Sequence, residues 1–334
     1  MRVLVTGAAG FIGYHVARRL LARGDAVTGL DNLNAYYDVT LKEARLSRLR
    51  GEPGFNFVRA DLADRAALGK VFAGERFDAV VHLAAQAGVR YSIENPDAYV
   101  ESNLVGFGNI LEGARAQRTG HLVYASTSSV YGLNSSIPFS EAQNTDHPMS
   151  IYSATKKANE VMAHAYAHLF AIPCTGLRFF TVYGPWGRPD MALFKFTRAM
   201  LAGEPITLFN EGRMTRDFTY VDDIVEGVVR VMDRPAAPDP GWDAHAPRAE
   251  TSSAPWRVLN IGNHESVELM RYVQALEAAL GMKARIEYLP MQAGDVAATE
   301  ADISALAAAT GFRPRTPVED GVRRFVAWYR DYFK

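Results

Sequence analysis

The stretch Thr6-Gly7-Ala8-Ala9-Gly10-Phe11-Ile12-Gly13 directly follows the apolar run Val3-Leu4-Val5 and opens a helix-like segment over Gly13–Ala22. This order of strand, glycine turn and helix restricts the chain more than any other feature. Glycines at those positions permit a tight turn, close approach of a pyrophosphate and close packing of helix on sheet. The helix amino terminus adds free N–H groups and the positive end of its dipole. The spacing is Gly-x2-Gly-x2-Gly, not Gly-x-Gly-x2-Gly, and the competing reading is a purely structural turn. A second strand, Ala26–Leu30, then delivers Asp31, 18 residues past Gly13. A carboxylate there grips the adenosine ribose hydroxyls and repels a 2′-phosphate, so NAD is favoured over NADP. Gly7, Gly10, Phe11, Ile12, Gly13 and Asp31 are therefore cofactor-binding candidates.

Further apolar runs continue the pattern at Asn56–Arg59, Ala79–Leu83, Leu122–Ser126 and Thr175–Phe179. Helical stretches lie between most of them, at Arg65–Phe72, Val100–Gln117 and Ser153–Phe170. Strands alternating with helices imply right-handed βαβ units and an α/β fold, a doubly wound parallel Rossmann sheet. After about Phe180 loops lengthen, and Asp233–Trp256, with five prolines, reads as an exposed, mobile excursion. Val258–Ile261 resumes a strand and Val267–Leu280 reads as a helix. The expected organisation is a NAD-binding domain over 1–180, with 217–235 and 257–263 returning to it. A second, smaller α/β substrate-binding domain takes most of 181–334.

Composition narrows the function. Across 334 residues, 36 Lys+Arg nearly cancel 37 Asp+Glu, without the basic excess of a nucleic-acid binder. Apolar residues make up 48%, enough for a large core, and no run approaches a membrane span. The single cysteine, Cys174, excludes an internal disulfide and a Cys-rich metal module. The chain is expected to be cytoplasmic, with no nucleic-acid or membrane partner and no metal.

Tyr152-Ser153-Ala154-Thr155-Lys156 places a phenol and an ammonium one helical turn apart. Alone the spacing is common. After a dinucleotide turn it acquires meaning, because a neighbouring cation stabilises a tyrosinate that can accept a sugar-hydroxyl proton. About 25 residues earlier, Ser126-Thr127-Ser128-Ser129 closes a strand at the end of the sheet where such folds bind ligands. The bland alternative is a polar strand-to-loop turn.

Together these residues closely resemble the extended short-chain dehydrogenase/reductase superfamily, over almost the whole chain. Within it they are similar to the UDP-glucuronate 4-epimerases. The supporting stretches are Gly29–Asp38, Ala85–Ser92, Arg178–Ala192 and Thr215–Asp223. The resemblance implies Tyr152 as acid/base, Lys156 as its partner and nicotinamide-ribose ligand, and Thr127 as the hydroxyl member of that triad. It implies Asn32, Asp61, Leu62, Leu83, Ala84 and Ala85 along the cofactor. Thr127, Ser128, Ser129, Tyr152 and Thr181 would face the sugar, and Arg213 and Arg216 the diphosphate of a UDP-uronic acid. Arg188 would approach the substrate or merely anchor Asp190. Asn103 would support the active-site helix, and helices Val100–Gln117 and Ser153–Phe170 would pair in a homodimer.

Departures from relatives sharpen this. The 4,6-dehydratases carry Asp-Glu where this chain has Ser128-Ser129, and the glucuronate decarboxylases carry Glu at position 129. Hexose epimerases usually have Asn at position 181 and Arg near Gln292. The implied reaction inverts C4 of UDP-glucuronate through a 4-keto sugar. Alternatives are a UDP-hexose 4-epimerase, a UDP-glucuronate decarboxylase, or a non-enzymatic NAD-sensing regulator. Two weaker signals read as structure: His164 and His168 as a solvent or interface face, and Lys42, Glu43, Arg45 and Arg48 as a solvated helix face.

Overall fold

The computed structural model describes residues 1–292 and 295–334. Its strands are β1 (Arg2–Thr6), β2 (Ala26–Asp31), β3 (Phe55–Arg59), β4 (Ala79–His82), β5 (His121–Thr127), β6 (Cys174–Phe179), β7 (Thr181–Tyr183), β8 (Ile206–Phe209), β9 (Thr215–Tyr220), β10 (Trp256–Ile261), β11 (Ser266–Glu268) and β12 (Ile286–Leu289). Seven form one sheet in the order β10-β6-β5-β4-β1-β2-β3. Every pairing in it is parallel.

The strand sequences explain the layering. Val3 and Val5 of β1 enter one apolar cluster and Leu4 enters another, so side chains alternate between two covered faces. Helices Phe11–Ala22 and Val221–Met232 pack together on the first face; Arg65–Gly74, Gly106–Gln117 and Ile151–Phe170 line up on the second. Strand order reverses between β1 and β4, which opens a crevice at their carboxyl ends. Gly7 and Leu83 lie there.

The remaining strands build smaller sheets. β7 pairs parallel with β9, β9 antiparallel with β11, and β8 parallel with β12. Helices Ala192–Leu201, Leu269–Leu280 and Val318–Tyr332 pack on them, with Phe218 of β9 stacked on Tyr272 at 3.9 Å.

Local structure departs from the sequence expectation at four places. Val267 and Glu268 belong to β11, and the helix starts at Leu269. Val100–Val105 is a π turn leading into the α-helix Gly106–Gln117. The Pro-rich stretch after Asp233 is largely exposed but pinned at intervals: Ala236, Ser252 and Ala254 are buried, and the Ser252 hydroxyl bonds His164 Nε2 at 2.8 Å. The largest correction concerns Lys42 and Arg45, which are 5% and 0% exposed. On helix Val39–Arg50, Arg45 donates to the Trp186 carbonyl and Lys42 to the Asn34 carbonyl, while Glu43 and Arg48 are exposed as expected. Among the described residues, no helix is long and apolar enough to cross a membrane.

Candidate active site

At the carboxyl ends of β1 and β2 the glycine turn is held by contacts that tolerate no side chain. Gly7 adopts φ +72°, and a Cβ there would lie 2.8 Å from the Ala84 nitrogen. A Cβ on Gly13 would lie 2.0 Å from the Gly7 carbonyl oxygen. Gly10 caps helix Phe11–Ala22 without any side-chain bond, leaving its amino end to a ligand. Asp31 braces the turn, accepting the Ala9 N–H at 3.1 Å and the Leu33 N–H at 2.9 Å. Each carboxylate oxygen keeps a second acceptor site, so ribose binding is still open to it. Asn32 Nδ2 donates to Asp61 at 2.7 Å, bridging the ends of β2 and β3. Thr6 Oγ1 accepts the Ala84 N–H at 3.2 Å and fixes the exit of β4 at Leu83, Ala84 and Ala85. This set fits a dinucleotide: a turn closed to side chains, an uncapped helix end and an acid at the second strand.

The Tyr152-to-Lys156 pair lies on helix Ile151–Phe170. Ser150 and Ser153 cap it reciprocally, each hydroxyl accepting the other's N–H at 3.1 Å, which places Tyr152 in the first turn. Tyr152, Lys156 and Glu160 then descend one face against three consecutive residues of β5. The Thr127 hydroxyl lies beside the Tyr152 phenol. Lys156 Nζ donates to the Ala125 carbonyl at 2.8 Å, and Ser126 Oγ donates to Glu160 at 2.6 Å. Glu160 is held in turn by Arg178 through two bonds of 2.9 Å. Asn103 supports the same helix: its carbonyl accepts from Asn159 at 2.6 Å and its Nδ2 donates to the Thr155 hydroxyl at 3.1 Å. Burial pushes the Tyr152 phenol above its ordinary value, against the opposing pull of the Thr127 hydroxyl and the Arg188 charge. Burial brings the Lys156 ammonium down to about 8, although Glu160 favours its charged form. The chain alone therefore keeps the phenol protonated at neutral pH; deprotonation needs further positive charge beside it.

One continuous cavity of about 1170 Å³ joins the dinucleotide turn to the second half of the chain. Ser128, Ser129, Thr181, Arg188 and Arg216 line it with Tyr152 and Lys156. Arg188 borders the cavity and is clamped by Asp190, its Nε donating at 3.0 Å. Arg216 donates to Asp295 at 2.9 Å and to the Ala297 carbonyl at 3.1 Å. Arg213 is not brought in. It precedes β9, pairs with Glu211 at 2.8 Å and leaves 73% of its side chain in solvent. The Gln292 side-chain oxygen is buried, outside the cavity lining, and has no hydrogen-bond partner among the described residues.

Lys42 and Tyr36 are among the cavity residues that the sequence does not assign to the site. Lys42 donates to the carbonyl and the side-chain oxygen of Asn34, both at 2.7 Å, and its charge lies near Asp31. Tyr36 donates to Asp190 at 3.3 Å. Both fall in or just after the Asp31–Asp38 segment, and that position was the available signal.

The NAD dependent epimerase/dehydratase family model matches residues 3–244. The chain belongs to that family. It is 53% identical over 334 residues to Protein CapI of Staphylococcus aureus, covering 100% of both. It is 48% identical to UDP-glucuronate 4-epimerase 1 of Arabidopsis thaliana, covering 99% of this chain and 77% of that one. Among solved structures it is similar to UDP-glucuronic acid 4-epimerase from Bacillus cereus in complex with UDP-glucuronic acid and NAD. The TM-score is 0.88 and the identity 33%, with 99% and 100% of the two chains covered.

Proposed function

We infer that the chain is an NAD-dependent UDP-glucuronate 4-epimerase, an isomerase interconverting UDP-glucuronate and UDP-galacturonate. The observation that carries this reading is the sugar end of the cavity, where Tyr152 and Thr127 adjoin Ser128, Ser129 and Thr181. Those three positions present neutral hydroxyls, which can meet a uronate carboxylate without repelling it. Dehydration would need an acid and a carboxylate base at the same place.

NAD, when bound, would supply the hydride acceptor and donor for inversion at sugar C4. Gly7, Gly10, Phe11, Ile12 and Gly13 hold its pyrophosphate, and Asp31 and Asn32 its adenosine ribose. Asp61 and Leu62 flank the adenine, Leu83, Ala84 and Ala85 border the dinucleotide, and Lys156 holds the nicotinamide ribose. Tyr152 accepts the C4 hydroxyl proton and later gives it back, with Thr127 sharing that hydrogen bond. Arg216 takes the UDP diphosphate by leaving Asp295, and Arg188 approaches the substrate beside Tyr36. Between the two transfers the ring must turn over as a 4-keto uronate, a β-keto acid. Such acids lose CO2 when the breaking bond aligns with the carbonyl π system. Thr127, Ser128, Ser129 and Thr181 hold the carboxylate out of that alignment while letting the ring regrip.

The same reading assigns 1–180, with 217–235 and 257–263, to NAD and most of 181–334 to the sugar nucleotide. It makes the protein a cytoplasmic homodimer. Val100, Val105, Val161 and Leu169 support the pairing, because they leave apolar surface exposed on the two helical segments expected to meet. Incubation with UDP-glucuronate and separation of the products tests the whole reading: UDP-galacturonate is expected, whereas CO2 with UDP-pentose, or no turnover, refutes it. Tyr152→Phe should lower kcat by about 10²–10⁴ while NAD stays bound.

A further inference from the structure

Between the glycine turn and the loop that carries Arg188 lies a set of bonds for which the chemistry above has no use. The loop leaves β7 after Tyr183, and its three successive carbonyls are each taken by a side chain from the nucleotide-binding half. Pro185 accepts from His15 Nε2 at 2.9 Å. Trp186 and Gly187 accept from Arg45 Nη2 at 2.6 Å and 3.2 Å. The other arm of the Arg45 guanidinium, Nη1, donates to the Ala9 carbonyl within the glycine turn at 3.0 Å and to the Tyr37 hydroxyl at 2.8 Å. Tyr36 adds a tie from the same segment, donating to the Asp190 carboxylate that clamps Arg188. Neither Arg45 nor His15 lines the cavity.

These bonds are an expensive way to close a loop. Arg45 is 0% exposed, and among the described residues it has no ion-pair partner and its Nε has no acceptor. A buried cation held only by neutral groups costs stability that an aliphatic side chain of similar size would not. Trp186, one of its acceptors, sits at φ +62°, a left-handed conformation unfavourable to any non-glycine residue. What a planar guanidinium offers in return is a rigid fork that grips two backbone segments at a fixed separation. Here the segments are the cofactor turn and the substrate loop.

We propose that Arg45, assisted by His15, is a positioning residue that couples NAD binding to sugar-nucleotide binding by hanging the Arg188 loop on the glycine turn. The proposal rests on the epimerase reading, which puts NAD at one end of the strut and the sugar at the other. A ligand that fixes Ala9 fixes Arg45, the Trp186 and Gly187 carbonyls, and so the approach of Arg188. Linkage requires the reverse effect to be equal: sugar nucleotide must tighten NAD by the same factor.

The test compares NAD loss from the holoenzyme with and without UDP-glucuronate, the released NAD being trapped and counted by alcohol dehydrogenase. In the unaltered protein UDP-glucuronate should slow the loss about fivefold or more. In Arg45→Lys, which keeps the charge but not the fork, the slowing should fall below about twofold and the Kd of UDP-glucuronate for the NAD-loaded protein should rise by the lost factor. Loss of NAD without sugar nucleotide should change far less, a split that general damage to the fold would not produce. Should Arg45→Lys fail to fold, His15→Leu, which removes the tie to the Pro185 carbonyl away from the cavity, carries the same test. Full slowing retained in Arg45→Lys, or in His15→Leu where Arg45→Lys does not fold, or no slowing in an unaltered enzyme that turns over UDP-glucuronate, overturns the coupling. Absence of turnover in the unaltered enzyme overturns instead the functional reading on which it rests.

Discussion

Replacing Lys156 with methionine should stabilise the NAD-free protein at neutral pH while ending catalysis. Lys156 is 1% exposed, and among the described residues its ammonium donates to one carbonyl, that of Ala125 at 2.8 Å. Burial lowers its ammonium from 10.5 to about 8, with Glu160 pulling the other way. Between those two values the unfolded chain holds a proton that the folded chain has shed, so native stability rises with pH across that window. Below the lower value the whole cost of the buried charge is present. A fall of that size, at about 1.4 kcal/mol per unit, corresponds to roughly 3 kcal/mol at pH 7. Methionine keeps the length and removes the charge, and losing the bond to Ala125 returns about 1 kcal/mol. The expected net gain is about 2 kcal/mol at pH 7, shrinking to nothing or reversing near pH 10. Denaturant midpoints of both proteins at the two pH values, compared at equal m, give the answer. A variant less stable at pH 7, or one whose advantage is independent of pH, would show that the ammonium is not held against its solvation preference.

Other perturbations separate the remaining roles. Arg216→Ala should raise KM for UDP-glucuronate about tenfold or more, as expected for a lost charged hydrogen bond, whereas Arg213→Ala should leave steady-state kinetics unchanged. Thr181→Val should shift products toward UDP-4-keto-pentose, read by chromatography and CO2 release; an unaltered partition would count against the hydroxyl cradle. Glu160→Gln strands the buried Arg178 and should destabilise the fold by about 3 kcal/mol. It also removes the negative charge that favours protonated Lys156, so loss of activity at the alkaline end should begin at lower pH; a Tm drop with an unmoved pH profile would confine Glu160 to a structural role.

Much of the site could be read from local pattern, because its parts obey local rules. The glycine turn needs backbone room, Asp31 needs the end of the second strand, and Tyr152 and Lys156 need only helical spacing. Long-range partners are less visible. Nothing in the charge run from Lys42 to Arg48 says that the Trp186 and Gly187 carbonyls will take Arg45 out of water, so a buried strut looks like part of a solvated face. Arg213 and Arg216 are near neighbours in sequence, yet only Arg216 lies on β9 at the cavity; Arg213 falls in the turn before the strand and swings to Glu211. Val267 and Glu268 look helical by their apolar neighbours, but pairing with Arg216 and Thr215 in β9 draws them into a strand.

The seating of Tyr152, Lys156 and Glu160 on Thr127, Ala125 and Ser126 has a consequence for how this scaffold can change. Each of the three helix residues meets a different residue of a buried strand, and sliding the helix by one residue would undo all three contacts together. Ser128 and Ser129 lie beyond those contacts, and Thr181 lies on a short strand of another sheet. Substitutions there can alter which substituent at C5 is tolerated while the oxidation geometry stays put. Directed evolution toward other UDP-sugars would therefore find its freedom at those three positions and meet resistance at the helix–strand contacts.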